Sequence, residues 1–273
     1  MELDQLRQHH LELLKKFIIR YDFDRQAYSW EQVKFFPGKL IVLTPLLRIL
    51  PRNWTIAKRV TVPDLESRRI GTDWPLTAES MIGLKRMNQF HDSLDTVRTE
   101  NIAGDIVETG IWRGGAVIFA ASYLSIYSIN DKKVFGCDSF EGLPEPDPKF
   151  PVDSNDIHST IDFLRVPLPE VEHNLEKYLV DFSKVNLVKG WFDQTLPTLP
   201  VNKISILRLD GDMYSSTMDA LNALYEKVSI GGIVIIDDYC LEGAKLAIHD
   251  FFGSKLPAIH DIDGTGAYFR KIS

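Results

Sequence analysis

Two apolar runs that each end in acid, LRLDGDMY at 207–214 and IIDDY at 235–239, constrain this chain more than any other feature. A continuous β-branched run without alternation reads as a strand buried on both faces, the form that parallel strands take. The acids then stand where the strands leave the sheet, at the carboxyl edge, where open α/β sheets take their ligands. If the two strands are neighbours, Asp210, Asp237 and Asp238 converge there. Three unpaired carboxylates at one point repel one another. A divalent cation with oxygen ligands resolves the repulsion, and Mg²⁺ suits such a set. The competing reading is that each Asp caps the helix after its strand.

The rest of the pattern agrees with a parallel sheet. From residue 104, strands DIVET (105–109), KVFGCD (133–138), VNLVKG (185–190), KISILRLD (203–210) and GIVIIDD (232–238) alternate with helical sequence at 113–127, 215–227 and 241–253. A Pro- and Asp-rich loop (139–156) leads into helical sequence running to about 181. Alternation of this kind predicts a doubly wound α/β fold. PAIHDI (257–262) and GAYFRKI (266–272) read as a closing antiparallel pair. Upstream, residues 1–35 predict an amphipathic helix, 36–76 a proline-punctuated stretch with short helical pieces, and 77–98 a helix capped by Thr77 with Glu79 in its first turn. The chain thus divides into an N-terminal extension (1–76) and a main domain (77–273).

VETGIWRGGAV (107–117) joins the first of these strands to its helix. Gly110 lets the chain turn sharply, and Gly114 with Gly115 allows close backbone approach at the helix start. The spacing is not G-x-G-x-x-G. Glu108 at the strand end is the useful departure, because a carboxylate repels a phosphate and suits a cationic ligand. S-adenosylmethionine, with its sulfonium and ammonium, fits better than NAD. Asp138 ends the next strand, where an acid can take both hydroxyls of a nucleoside ribose; alternatively it forms a turn before Ser139. Trp191 and Phe192 follow the third strand and either flank an adenine ring or fill the core.

Bulk properties narrow the function classes. The 273 residues are 44% hydrophobic and 25% charged, with a net charge of −7, which is not the profile of a nucleic-acid binder. The first 70 residues are basic on balance and the remainder acidic, most simply as solvated helix faces. Cys137 and Cys240 form no metal pattern and read as buried thiols of a reducing compartment, so a cytoplasmic location is expected. The charged N-terminus has no signal-peptide core. LIVLTPLLRIL (40–50) is too short to span a bilayer and contains Pro45 and Arg48; it reads as a packed helix or partner surface, making a homo-oligomer plausible.

With these residues in hand, the chain resembles the macrocin O-methyltransferase family (TylF/MycF type). The motifs that carry the resemblance are GTDWP (71–75), VETGIWRGG (107–115), CDSFEGLPEPD (137–147), GWF (190–192), LRLDGDMYSST (207–217) and GGIVIIDDY (231–239), in order over residues 70–272. The resemblance implies a class I methyltransferase sheet, Rossmann-like and seven-stranded, and S-adenosylmethionine- and Mg²⁺-dependent methylation of a natural-product sugar hydroxyl. It implies cofactor contacts at Glu108, Thr109, Gly110, Asp138, Ser139, Trp191 and Phe192, and a metal held by Asp210, Asp237 and Asp238.

In such a reaction the acceptor hydroxyl must lose its proton. A cation at the three acids would lower the hydroxyl pKa and orient it, and two neighbouring hydroxyls, on a sugar or a catechol, would chelate well. Asp210 is the expected proton acceptor, as ligand and nearest carboxylate. Asp212 either binds substrate or caps the following helix. His158 and His173 are further candidates for a base, His249 reads as structural, and Tyr214 and Tyr239 line either pocket or core. The loop at 139–160, with four prolines, has the length of a lid. Two other readings remain open: an NAD-dependent oxidoreductase, which calls for G-x-G-x-x-G and a catalytic Tyr-Lys or His, and a binding module without catalysis, which calls for lost carboxylates. Neither expectation is met by the sequence.

Overall fold

The computed structural model describes residues 2–22, 27–29, 57–59 and 64–272. The apolar run 40–50 lies outside them. Helix α1 (Leu3–Ile19) stops sixteen residues short of the predicted end at 35, because Arg20 turns left-handed and its backbone N–H caps the carbonyls of Lys16 and Phe17. A short antiparallel ribbon follows, β1 (Ala27–Ser29) with β2 (Ala57–Arg59). Then come α2 (Leu65–Ile70) and α3 (Leu84–Thr99).

Helix α3 begins seven residues after the predicted Thr77 cap. The segment before it is used differently. The Glu79 N–H donates to the Ile18 carbonyl at 2.9 Å, and the Glu79 carbonyl accepts from the Gly115 N–H at 2.9 Å. Its buried carboxylate accepts from Arg20, Lys177 and the Tyr178 hydroxyl at 2.9, 2.6 and 2.7 Å. One non-helical stretch therefore fastens α1 to the glycine-rich turn, and a helical path through Glu79 would forfeit these bonds.

The α/β unit follows as β3 (Asp105–Thr109), α4 (Gly115–Ile126), β4 (Val134–Asp138), α5 (Leu168–Lys177), β5 (Val185–Lys189), α6 (Phe192–Thr195), β6 (Ile204–Leu209), α7 (Tyr214–Leu224), β7 (Val228–Ile236), α8 (Glu242–Phe252), β8 (His260–Asp261) and β9 (Ala267–Arg270). Helix α5 is shorter than the expected helical stretch, and three single 3-10 turns precede it. The sheet order is β5-β4-β3-β6-β7-β9-β8. The first five are parallel, and β9 pairs antiparallel with both β7 and β8. This is the predicted seven-stranded, doubly wound sheet with a reversed edge.

Successive strand residues face opposite sides. One face presents Ile106, Ile206 and Ile235 to α4 and α3, and Leu11, Ile18 and Ile19 of α1 join that layer. The other face presents Val107, Leu207 and Val234 to α7 and α8. Each such buried side chain contributes roughly 1.5–3 kcal/mol relative to exposure. The same alternation places Glu108, Arg208 and Asp237 on the first face, one step beyond the isoleucines.

Candidate functional site

Two cavities meet at the carboxyl edge of the sheet, where β3 and β6 lie side by side and Asp210 follows the end of β6. One, of about 420 Å³, is lined by Asp138, Ser139, Trp191, Phe192 and the loop around Pro144. The other, of about 360 Å³, holds Glu108, Arg208, Asp212, Asp237, Asp238 and His158. Gly110, Asp138 and Asp210 line both. Gly110 has φ +85°, and a Cβ there would stand 1.8 Å from the Asp210 carbonyl oxygen. No other residue type lets β3 turn away so close to β6.

Backbone pairing brings the acids together. The Asp210 N–H donates to the Thr109 carbonyl and the Asp237 N–H to the Leu209 carbonyl, both at 2.9 Å, so the ladder runs one residue past the strand ends. Asp210, Asp237 and Asp238 each offer an oxygen, and these oxygens lie within 4.8 Å of one another. The predicted convergence holds. The description of the acids as unpaired does not. Arg208, only 2% exposed, reaches Glu108 at 2.5 Å, Asp210 Oδ2 at 2.7 Å and Asp237 Oδ1 at 2.5 Å. Arg86 of α3 takes Asp237 Oδ2 at 2.5 Å and Asp263 at 3.0 Å. A buried carboxylate without such a partner is costly, and the sequence showed the partner only as one arginine inside an apolar strand.

The two guanidiniums do not balance the acids. Glu108, Asp210, Asp212, Asp237 and Asp238 share the cavity with Arg86 and Arg208. Burial drives the Asp210 carboxyl well above its ordinary range, and the neighbouring charge of Asp237 adds to this. Burial and the charge of Asp212 do the same to Asp238. Asp212 is pushed to about 7 by burial, partly offset by a hydrogen bond with Asp238. Burial lifts Glu108 to about 8, against the pull of Arg208. Its Oε2 is buried and has no hydrogen-bond partner among the described residues. Arg208 stays charged, because the three carboxylates outweigh its own burial.

Asp212 does not cap α7. That task falls to Asp153, from the loop after β4, whose carboxylate accepts from the Tyr214 and Ser215 N–H groups at 2.9 and 3.2 Å. Asp212 instead sits at φ +57° in the acid cavity. Helix capping therefore explains none of the four aspartates.

The remaining predicted residues divide between cavity and scaffold. Trp191, Phe192 and Ser139 line the larger cavity. Asp138 lines both, and its oxygens accept from the N–H groups of Ile111 (2.8 Å), Trp112 (3.3 Å) and Phe140 (2.7 Å). It ties the glycine-rich turn to the next loop, so its turn-forming role is present. Burial raises its pKa, and these backbone bonds oppose the rise. Thr109 is buried and lines neither cavity. Gly114 and Gly115 also lie off both. At Gly115 a Cβ would meet the Glu79 carbonyl at 2.6 Å, so its close approach is to this chain's own backbone. That carbonyl occupies the first N–H of α4, the position a dinucleotide phosphate would use.

Among the other candidates, His158 lines the acid cavity. His173 is exposed on α5. His249 bonds the Tyr239 hydroxyl at 3.0 Å, and Tyr214 bonds Asp250 at 3.1 Å, so both tyrosines are engaged with α8, outside the two cavities. Cys137 is buried; Cys240, expected to be buried, is exposed and borders the acid cavity. Residues not placed from sequence are Arg86, Arg208, Asp153 and Trp74, the last lying in GTDWP, lining the acid cavity and stacked 5.8 Å from Phe163. Among the described residues no helix is long and apolar enough to cross a membrane.

Comparison with known proteins follows this geometry. Residues 7–271 match the family described as macrocin-O-methyltransferase (TylF). The 8-demethyl-8-(2,3-dimethoxy-α-L-rhamnosyl)-tetracenomycin-C 4′-O-methyltransferase of Streptomyces olivaceus is 41% identical over 217 residues, covering 76% of this chain and 81% of that protein. Mycinamicin III 3″-O-methyltransferase of Micromonospora griseorubida is 37% identical over 212 residues, covering 76% and 84%. The solved structure of the O-methyltransferase NovP superposes with a TM-score of 0.81 at 31% identity, over 98% of this chain and 100% of that one. The chain belongs to the macrocin-O-methyltransferase family and is an O-methyltransferase.

Proposed function

We propose that this protein transfers a methyl group from S-adenosylmethionine to a sugar hydroxyl of a natural product, with Mg²⁺ held by Asp210, Asp237 and Asp238. The observation that carries the reading is the acid point at the tips of β6 and β7, facing a glycine-rich turn that a phosphate cannot occupy. The sugar acceptor is supported by the rhamnosyl 4′-O-methyltransferase among the relatives.

The residues fit both absent groups. Seven carboxylates, Asp73 and Asp138 among them, against two guanidiniums leave the acid cavity short of positive charge, and a divalent cation would supply it. Both oxygens of Asp237 already accept from arginine, so its share in holding the ion uses remaining lone pairs, while Asp238 has no arginine partner among the described residues. The Glu108 Oε2, buried and unpartnered, suits the cationic part of the methyl donor. Trp191 and Phe192 offer the larger cavity an aromatic wall for adenine, and Asp138 and Ser139 stand where its ribose would lie.

When bound, the cation would lower the pKa of the acceptor hydroxyl and orient it. Arg208 and Arg86 fix the carboxylates so that little reorganisation accompanies the reaction. Gly110 lines both cavities and carries no side chain to fill the point where donor and acceptor would meet. Asp210 shares its Oδ2 with Arg208, so its main part is to hold the ion.

The test is transfer of labelled methyl from S-adenosylmethionine to a panel of rhamnosides and catechols, with Mg²⁺ or with chelator. The reading expects glycoside methylation that chelator abolishes. Catechol methylation alone would move the acceptor class, and equal rates with chelator would remove the metal.

A further inference from the structure

The segment between β4 and α5 carries a histidine–aspartate pair that the methyl-transfer reading leaves unused. His158 Nδ1 lies 3.0 Å from Asp156 Oδ2 and 3.1 Å from Oδ1. Its ring stacks on Trp74, centroids 6.5 Å apart and planes 25° apart, and borders the cavity that holds Asp210, Asp237 and Asp238. We propose that His158 takes the proton of the acceptor hydroxyl and that Asp156 is the positioning residue that holds the ring for this step. The proposal rests on the preceding reading of an alcohol acceptor in the acid cavity.

Three observations carry it. An ionised carboxylate only accepts hydrogen bonds, so the contact with Asp156 places the ring hydrogen on Nδ1 and leaves the Nε2 lone pair available. Asp156 Oδ1 also accepts from the His158 backbone N–H at 2.7 Å. That bond alone closes the turn, so the ring contact is not needed for local structure. The rival base, Asp210, has Oδ2 on Arg208 at 2.7 Å and offers one oxygen to the three-acid cluster proposed to hold the cation. Asp210 is thereby committed to holding charge in place.

The step balances. The acceptor O–H bond breaks and its proton goes to His158 Nε2. The oxygen electron pair forms a bond to the sulfonium methyl carbon as the carbon–sulfur bond breaks, and sulfur keeps that pair, giving S-adenosylhomocysteine. The imidazolium pairs with Asp156 and then passes its proton to solvent. His158 is partly exposed, which gives that exit.

The experiment uses the full chain and the variants His158→Ala, His158→Gln and Asp156→Asn. Calorimetric binding of S-adenosylhomocysteine establishes folding first, and His158→Gln replaces His158→Ala if the latter does not bind. Nitrogen NMR of the histidine ring reads the tautomer without any turnover. The expected result is Nδ1–H in the parent and Nε2–H in Asp156→Asn, because the asparagine amide donates where the carboxylate accepted. His158→Ala is expected to lose about 10²–10⁴-fold in kcat with KM and product affinity retained. Added imidazole should restore rate in proportion to its concentration. A kcat within about threefold of the parent overturns the proposal. So does a loss that imidazole leaves untouched, or a tautomer that Asp156→Asn does not move. If the parent methylates no alcohol at all, the preceding reading fails instead, a separate outcome from loss confined to the variants.

Discussion

The two halves of the cleft are built by different means. The acid half stands on strand tips: Glu108, Arg208 and Asp237 belong to or directly follow β3, β6 and β7, and their positions are set by sheet register. The other half stands on loops: Ser139, Pro144 and Trp191 follow β4 and β5, held to the sheet by contacts such as Gly190 N–H to the Asp138 carbonyl and Phe140 N–H to the Asp138 carboxylate. Strand tips give fixed geometry to the placing of charge. Loops give shape that can adapt to a ligand. Variants in the first half should therefore change stability and rate, and variants in the second should change affinity.

The largest expected effect is that of Arg208→Met. It leaves Glu108 and Asp237 buried without their shared cation, and breaking such a network costs about 3–5 kcal/mol. Urea unfolding of the protein without ligands measures it, and a loss below about 1 kcal/mol would mean that water or another cation replaces the guanidinium. Asp210→Asn comes next: kcat should fall by about 10³-fold while S-adenosylhomocysteine affinity stays level, the split that separates the acid half from the loop half. Trp191→Ala should do the reverse, weakening calorimetric affinity by about 1–2 kcal/mol with kcat at saturation kept. An affinity unchanged by this variant would place the adenine elsewhere.

The smallest effect concerns pH. Glu108 has its folded-state pKa raised from 4.5 to about 8 by burial. An acid raised in the folded state favours folding while it is protonated. Its contribution is complete below pH 4.5 and is lost as pH rises through 8. The ligand-free parent should therefore lose stability over that window, and Glu108→Gln, which stays neutral, should lose less. Thermal melts of both proteins between pH 4 and 9 compare the slopes. Parallel slopes would mean that Arg208 keeps Glu108 ionised throughout.

How much of this was legible differed between the same two halves. The aspartates and their strands were readable because a parallel strand writes itself as an unbroken apolar run, and its end is where polarity returns. Arg208 lay in plain view inside that run, yet its meaning depended on register: only when β6 sits between β3 and β7 does one guanidinium touch three acids. Arg86 and Asp263, far apart in sequence, carry no local signal at all. The helix expected from Thr77 failed for a related reason. Its propensity was outweighed by hydrogen bonds to Ile18 and Gly115, partners brought close only by tertiary packing. GTDWP was visible only through the resemblance, since nothing in five loop residues announces that Trp74 will stack on Phe163.

Helix α7 borrows its cap from Asp153, sixty-one residues upstream of Tyr214 in the segment whose Asp147 and Phe150 line the larger cavity. An N-cap of this kind is worth about 0.5–2 kcal/mol. Displacing that segment would strip the acceptor from the helix that directly follows Asp210 and Asp212. The placement of that segment and order in the first turn of α7 are thus tied to the same two hydrogen bonds, and whatever holds the segment in place also steadies the carboxylates that follow β6.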